Sequence, residues 1–99
     1  MRAEPVRPAA VAGAFYSDDP EELRREVKGY LDAVPAQAVP GEILAIQVPH
    51  AGYRYSAAVA AYGYKALAGT KADTVVIIGH DAHAPGVVAI LANAEAFET

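Results

Sequence analysis

Apolar residues recur at two different periods along the chain, and the change of period divides it into elements. Leu23, Val27, Tyr30, Leu31 and Val34 fall on one face at helical spacing. Asp19 suits the N-cap ahead of them, Pro20 the first helical position, and Glu22 completes a capping-box spacing. Pro35 ends this helix, and residues 35–42, with Pro35, Pro40 and Gly41, read as a linker. Ile43 to Val48 is a nearly continuous apolar run, the pattern of a strand covered on both faces. It stops at Pro49-His50-Ala51-Gly52. Ser56 is then expected to cap a second helix running through Leu67, with Val59, Gly63, Ala66 and Leu67 inward and Gly69 as its stop. Thr74 to Ile78 is a second buried strand rich in β-branched residues, ending at Gly79-His80-Asp81-Ala82-His83. Pro85-Gly86 marks a turn, and Val87 to Leu91 is a third strand candidate. Residues 1–19 look irregular, because Pro5 and Pro8 prevent an early helix. The apolar stretch Val11 to Tyr16 within them is expected to pack against the body of the fold.

The middle of the chain therefore reads strand, helix, strand, with about 30 residues between strand starts, the size of a βαβ unit. A right-handed crossover makes the two strands parallel. The fold class is α/β with a mostly parallel sheet.

Composition narrows the function classes. With 99 residues there is room for one small domain of thin stability margin. Apolar residues make up 54% of the chain, yet many are alanine, which buries little area. The net charge of −4 and the scatter of Arg and Lys argue against a nucleic-acid surface. Arg24, Arg25 and Lys28 do lie close together, as the solvated face of a helix. Without cysteine there are no disulfides and no thiolate metal sites. No signal-type leader and no membrane-length apolar window stand in the sequence, so the expectation is a cytoplasmic protein with no membrane partner.

The candidate chemistry gathers where the strands end. All three histidines lie just past a predicted strand: His50 after the first, His80 and His83 after the second. Ligands of open α/β sheets bind outside the carboxyl ends of the strands. Neighbouring strands lie ~4.8 Å apart, which would let His50 approach His80 or His83. Two imidazoles and a carboxylate with open positions form the facial triad of non-heme iron oxygenases. Asp81 is the carboxylate of these loops, as a ligand or as a group fixing a histidine tautomer. The plainer alternative is that these are ordinary polar loop histidines. Tyr53 and Tyr55 flank Arg54. They read either as donors to an oxygen-rich ligand or as packing residues, and Arg54 as an anion fork or a solvent-facing cation. Gly52 reads as a positive-φ position, a point where backbone approaches a ligand, or a plain turn glycine. There is no GxGxxG, no Walker lysine and no HExxH helix.

Three blocks carry a family resemblance: Arg7-Pro8-Ala9-Ala10-Val11-Ala12-Gly13-Ala14-Phe15-Tyr16 with Asp19-Pro20 and Leu23; Pro49-His50-Ala51-Gly52-Tyr53-Arg54-Tyr55-Ser56 before an alanine-rich helix; and Val75-Val76-Ile77-Ile78-Gly79 leading to His83. In this order and spacing they resemble the Memo family, including the members called AmmeMemoRadiSam system protein B. The resemblance implies a fold like that of the LigB-type class III extradiol dioxygenases. It implies a cleft whose metal, iron or copper, is held by His50 and His83. Asp81 and His80 would be supporting or substitute ligands, His50 and Tyr53 would serve catalysis, and Arg54 and Tyr55 would hold a small-molecule or peptide ligand. Radical-SAM and AMMECR-type proteins are the implied functional associates. The chain departs from the family pattern at Ser17, where proline is common, at Ala57, where glycine is common, and at Gly79-His80-Asp81-Ala82-His83, which replaces Gly-Pro-Ser-His. The resemblance also makes residues 1–99 the amino-terminal part of a single Memo-like domain. On that reading the chain is truncated after Phe97-Glu98-Thr99, its site is incomplete and inactive alone, and it is prone to self-association or to not folding by itself. The rival reading is a non-catalytic binding module that uses the strand-end cleft for a peptide or an anion.

Overall fold

The computed structural model describes residues 4–80 and 94–98. They belong to two compact units, one made of residues 10–70 and the other of residues 1–9 with 71–99.

The 10–70 unit is built on two helices that pack against each other, α1 (Pro20–Asp32) and α2 (Tyr53–Ala66). α1 begins as its sequence predicts. The Asp19 carboxylate accepts a hydrogen bond from the Glu21 amide at 3.1 Å, and Pro20 follows the cap. The capping-box relation of Glu22 is relayed through Ser17. The Asp19 amide donates to the Ser17 hydroxyl at 3.1 Å, and that hydroxyl donates to the Glu22 carboxylate at 3.0 Å. Glu21 and Glu22 in the first turn also suit the positive end of the helix dipole. The apolar stripe turns inward: Leu23, Tyr30 and Leu31 are half-buried, and Val34, just past the helix end, is only 7% exposed. The ion pairs Arg24–Glu21 and Lys28–Asp32 lie at the surface and contribute little.

α2 begins four residues earlier than predicted. Its N-cap is Gly52, whose missing side chain makes no capping bond, and Ser56 lies within the first turns instead of ahead of them. Along its inner face Ala61 is buried, and Gly63 sits against the 43–48 segment. A Cβ on Gly63 would meet Val48 Cγ1 at 2.7 Å and Ile46 Cδ1 at 3.4 Å, so glycine is what admits the segment to the helix. The chain leaves α2 through Gly69 at φ 82°, as expected of a helix stop.

The 43–48 run is a point of correction. It joins no ladder among the described residues, and only one side of it is covered. Ile43, Ile46 and Val48 are half-buried while Leu44 is 89% exposed. α2 covers one face, and no described element supplies the second layer that a continuous apolar run anticipates. Thr74 to Ile78 differs more. It too joins no ladder among the described residues, and exposure rises from 75% at Val75 to 93% at Ile78. The apolar pattern of a central strand is present, but strand formation needs hydrogen-bonding neighbours, which no local sequence provides. The predicted third strand, 87–91, lies outside the described residues.

The parallel sheet of this α/β chain is instead a pair at the sequence extremes. β1 (Glu4–Arg7) runs parallel to β2 (Ala94–Phe97), with Glu4 opposite Ala94, Val6 opposite Ala96 and Arg7 opposite Phe97. The Glu98 amide extends the pairing to the Arg7 carbonyl at 2.8 Å, and the Arg7 guanidinium stands 5.8 Å from the Phe97 ring centre. The expectation of an irregular start is thus overturned for residues 4–7. Pro5 is compatible with β1 because, among the described residues, each strand of the pair keeps one edge without a ladder.

Candidate functional site

His50 lies on the short segment 49–52 that leads into α2, and three contacts fix this segment within the 10–70 unit. The first comes from the apolar stretch 11–16. It closes on itself as a tight turn, with the Phe15 and Ala14 amides on the Val11 carbonyl and the Gly13 amide on the Tyr16 carbonyl at 2.7 Å. Gly13 has φ 82°, a conformation that strains any other residue. The turn presents the Phe15 carbonyl to the Tyr53 amide at 2.7 Å. Tyr53 is the first residue of α2, so its N–H has no partner inside the helix. The Phe15 carbonyl therefore satisfies the first of the unpaired donors at the start of α2.

The second contact is steric. Gly52 has φ −55°, so the positive-φ alternative is excluded. A Cβ there would come within 3.4 Å of both the Cα and the carbonyl oxygen of Phe15. Gly52 thus lies against the Phe15 backbone within the protein itself.

The third contact is Ser56, a buried polar residue only 5% exposed. Its hydroxyl donates to the Ala51 carbonyl at 2.6 Å and stands 3.3 Å from the Gly52 carbonyl. One hydroxyl carries one hydrogen, so the short bond to Ala51 dominates. The predicted capping role is corrected accordingly. The Gly52 carbonyl already accepts the Tyr55 and Ser56 amides, and the Ser56 side chain reaches one residue further back, outside the helix.

The aromatic residues separate. Positions 53 and 55 are about 200° apart around a helix. Tyr53 turns inward, half-buried, its ring centre 5.6 Å from that of Tyr16 with the planes at 40°. Burial, with smaller contributions from Tyr16, Tyr64 and Glu26, raises its phenol above the usual value of 10.0. The Tyr53 hydroxyl is therefore protonated at neutral pH and is a hydrogen-bond donor. Tyr55 turns outward at 79% exposure, with the Arg54 guanidinium 5.8 Å from its ring centre.

The remaining predicted residues lie elsewhere. His80 is exposed and belongs to the other unit, while Asp81 and His83 lie outside the described residues. Among the described residues no three His, Asp or Glu side chains gather as a metal-binding group. An open cleft of about 470 Å³ is lined by Gln37, Val39, Glu42, Ile43, Lys65 and Thr70, among others. It sits at the C-terminal end of α2, some 20 Å along the helix from Tyr53 at 1.5 Å per residue, and so is separate from His50.

The sequence matches the family model of Memo-like protein over residues 7–99. The chain belongs to the Memo family. Among curated relatives, a MEMO1 family protein of Pyrobaculum aerophilum is 39% identical over 95% of this chain and 36% of its own length. Protein MEMO1 of Danio rerio is 36% identical over 94% of this chain and 31% of its own. A MEMO1 family protein of Methanopyrus kandleri is 44% identical over 74% of this chain and 29% of its own. This Memo-family chain thus spans about a third of the length of the curated relatives it matches. No solved structure matches it. All three sequence blocks that carried the resemblance fall within the matched region. Among the described residues, no helix of the Memo-family chain is long and apolar enough to cross a membrane.

Two contributors to the site escaped sequence reading. The Phe15 carbonyl is a backbone group with no signature of its own. Ser56 had a visible alternative role as a cap. Gly52 was the available signal, since glycine is tolerated at an N-cap and would have placed the helix start at Tyr53.

Proposed function

We propose that this Memo-family chain contributes histidine ligands to a dioxygenase-like, redox-active metal site. His50 and His83 bind iron or copper, and Asp81 and His80 serve as further or supporting ligands. The donor chemistry fits, because imidazole with a carboxylate suits both metals. Bound there, the metal would supply Lewis-acid and redox chemistry toward an oxygenated small molecule. The observation that carries the reading is the fixed approach to His50. A ligand histidine held in place beforehand loses less freedom when the metal binds, and segment 49–52 is hydrogen-bonded at Ala51, lies against Phe15 at Gly52 and leads into the hydrogen-bonded Tyr53 amide. Tyr53, kept protonated by burial, would donate a hydrogen bond to an oxygen of the bound ligand. Arg54 would offer its guanidinium to an anionic part of it. A cytoplasmic location and association with radical-SAM and AMMECR-type proteins belong to the same proposal.

The test is anaerobic calorimetry of the 99-residue chain with iron(II), and separately with copper(II). The parent chain binds weakly, and the His50→Ala, His83→Ala double variant loses that binding. A double variant that binds either metal as tightly as the parent refutes the ligand assignment.

The exposed Arg54–Tyr55 pair favours a second reading, a non-catalytic module that holds an anionic or peptide ligand. Binding of an acidic peptide that survives chelator and is lost in Arg54→Ala supports it over the metal site.

A further inference from the structure

We propose that Ser56 is a positioning residue for His50, acting through its hydrogen bond to the Ala51 carbonyl. The inference rests on the reading of His50 as a metal ligand, and it assigns the site a support that lies on α2 and not on the loop itself.

The argument starts from what a serine inside a helix ordinarily does. Its hydroxyl bonds back to the carbonyl four residues earlier, a bond that slightly weakens the helix. Four residues before Ser56 is Gly52, whose carbonyl is 3.3 Å away. The shorter bond, 2.6 Å, goes five residues back to Ala51. Ala51 precedes the N-cap, so this hydrogen bond contributes nothing to the helical ladder. What it holds is the Ala51–Gly52 peptide unit, the second after His50. Ser56 is buried, and its hydroxyl has no alternative water partner to gain by letting go. The Phe15 carbonyl holds the next peptide from the opposite chain direction, through the Tyr53 amide. With these two consecutive peptides held, the chain leaving His50 is anchored one residue away, which narrows the backbone positions from which the imidazole projects. Partners bonded directly to a ligating histidine change metal affinity about 10–100-fold when removed; Ser56 acts through the backbone one residue away, so the low end of that range is expected.

The experiment compares the parent chain with Ser56→Ala, His50→Ala and Gly52→Ala. Three readouts are taken: cobalt(II) affinity, the imidazole proton–nitrogen resonances of His50 in the metal-free chain, and amide exchange along residues 57–66. Ser56→Ala removes one oxygen and leaves the packing nearly unchanged. It is expected to shift and broaden the His50 resonances, to weaken cobalt(II) binding about tenfold, and to leave exchange at 57–66 as in the parent. Gly52→Ala, which crowds Phe15 from the other side of the same segment, should disturb the same resonances. His50→Ala should abolish binding. If His50→Ala leaves cobalt(II) affinity intact, the metal reading fails, and the resonances alone then decide whether Ser56 positions His50. If His50→Ala abolishes binding but Ser56→Ala changes neither resonances nor affinity, the metal reading stands and the role of Ser56 is overturned. A general loss of protection at 57–66 in Ser56→Ala also overturns it, because the residue is then only holding the helix together.

Discussion

Two glycines in helical positions should respond to the same substitution with opposite signs. Gly29, in α1, has no atom within 4 Å of where a Cβ would stand. Gly29→Ala therefore gains the helix preference of alanine over glycine, about 0.8–1 kcal/mol. Gly63→Ala, in α2, gains the same preference but puts its methyl 2.7 Å from Val48 Cγ1 and 3.4 Å from Ile46 Cδ1. Carbon atoms pack best at about 3.5–4.0 Å, so the overlap with Val48 is close to 1 Å. Val48 is β-branched and has little rotamer freedom with which to withdraw. Overpacking of this order costs about 1–3 kcal/mol. The net for Gly63→Ala is a loss of about 0–2 kcal/mol, which separates it from Gly29→Ala by about 1–3 kcal/mol. Amide hydrogen exchange reads both effects locally: protection should rise in α1 for Gly29→Ala and fall in α2 for Gly63→Ala. Adding Val48→Ala to Gly63→Ala removes the clashing atom and should restore part of the loss, a coupling that a double-mutant cycle measures. Equal gains in protection from the two glycine substitutions would refute the packing of the 43–48 segment against α2.

Three other outcomes are expected. Asp19→Ala removes the side-chain cap and should cost α1 about 1 kcal/mol, read as reduced exchange protection confined to its first two turns. The Tyr53 phenol should titrate above 10.0 in the folded chain, followed by its ultraviolet ionisation difference against Tyr53→Phe. The folded state holds this proton more tightly than the unfolded one. Its contribution to stability is therefore complete below pH 10 and lost as pH rises through the folded value, and Tyr53→Phe should flatten that loss. The uncharged run Val75–Ile78, exposed along its length, should drive concentration-dependent association in sedimentation velocity, reduced by Ile78→Lys. A monomer at all concentrations would count against it.

The helices were legible because their determinants are local. Asp19, Pro20 and the stripe from Leu23 to Val34 are each decided within a turn or two, and α1 follows them closely. The start of α2 was misread because Ser56 carries the usual capping side chain and Gly52 carries none. The structure starts the helix after Gly52, where Phe15 accepts the first helical N–H from elsewhere in the chain. Ser17 stands where the family resemblance leads one to expect proline, and its hydroxyl links the Asp19 amide to Glu22. A departure from the family pattern is thus also a capping device, visible only when three residues are placed together. For the candidate site, the sequence pointed to His50 and its neighbours. It could not show that Tyr53 and Tyr55 part company, because that depends on where the helix begins. With the start at Ser56 both would have been loop residues.

The strands failed for the opposite reason. Residues 43–48 and 74–78 carry the composition of strands buried on both faces, and neither joins a ladder among the described residues. A helix satisfies its own backbone, so its pattern is sufficient to form it. A strand satisfies its backbone only against neighbours, so its pattern states a requirement. In 43–48 the backbone requirement is unmet among the described residues, and the side-chain cover is half present: α2 covers Ile46 and Val48, and Leu44 stays outside. In 74–78 it is unmet among the described residues, although the run is the more apolar of the two. The consequence reaches the proposed chemistry. The inference that brought His50 toward His80 and His83 passed through adjacent parallel strands, whereas the support for His50 passes through α2, Ser56 and the 11–16 turn. The two halves of the metal proposal therefore stand on different physics. The His50 half is held by short-range hydrogen bonds that a single substitution can probe. The His80, Asp81 and His83 half depends on what pairs with residues 74–78, and an exchange experiment that finds those amides protected would be the first sign that the second half of the site has formed.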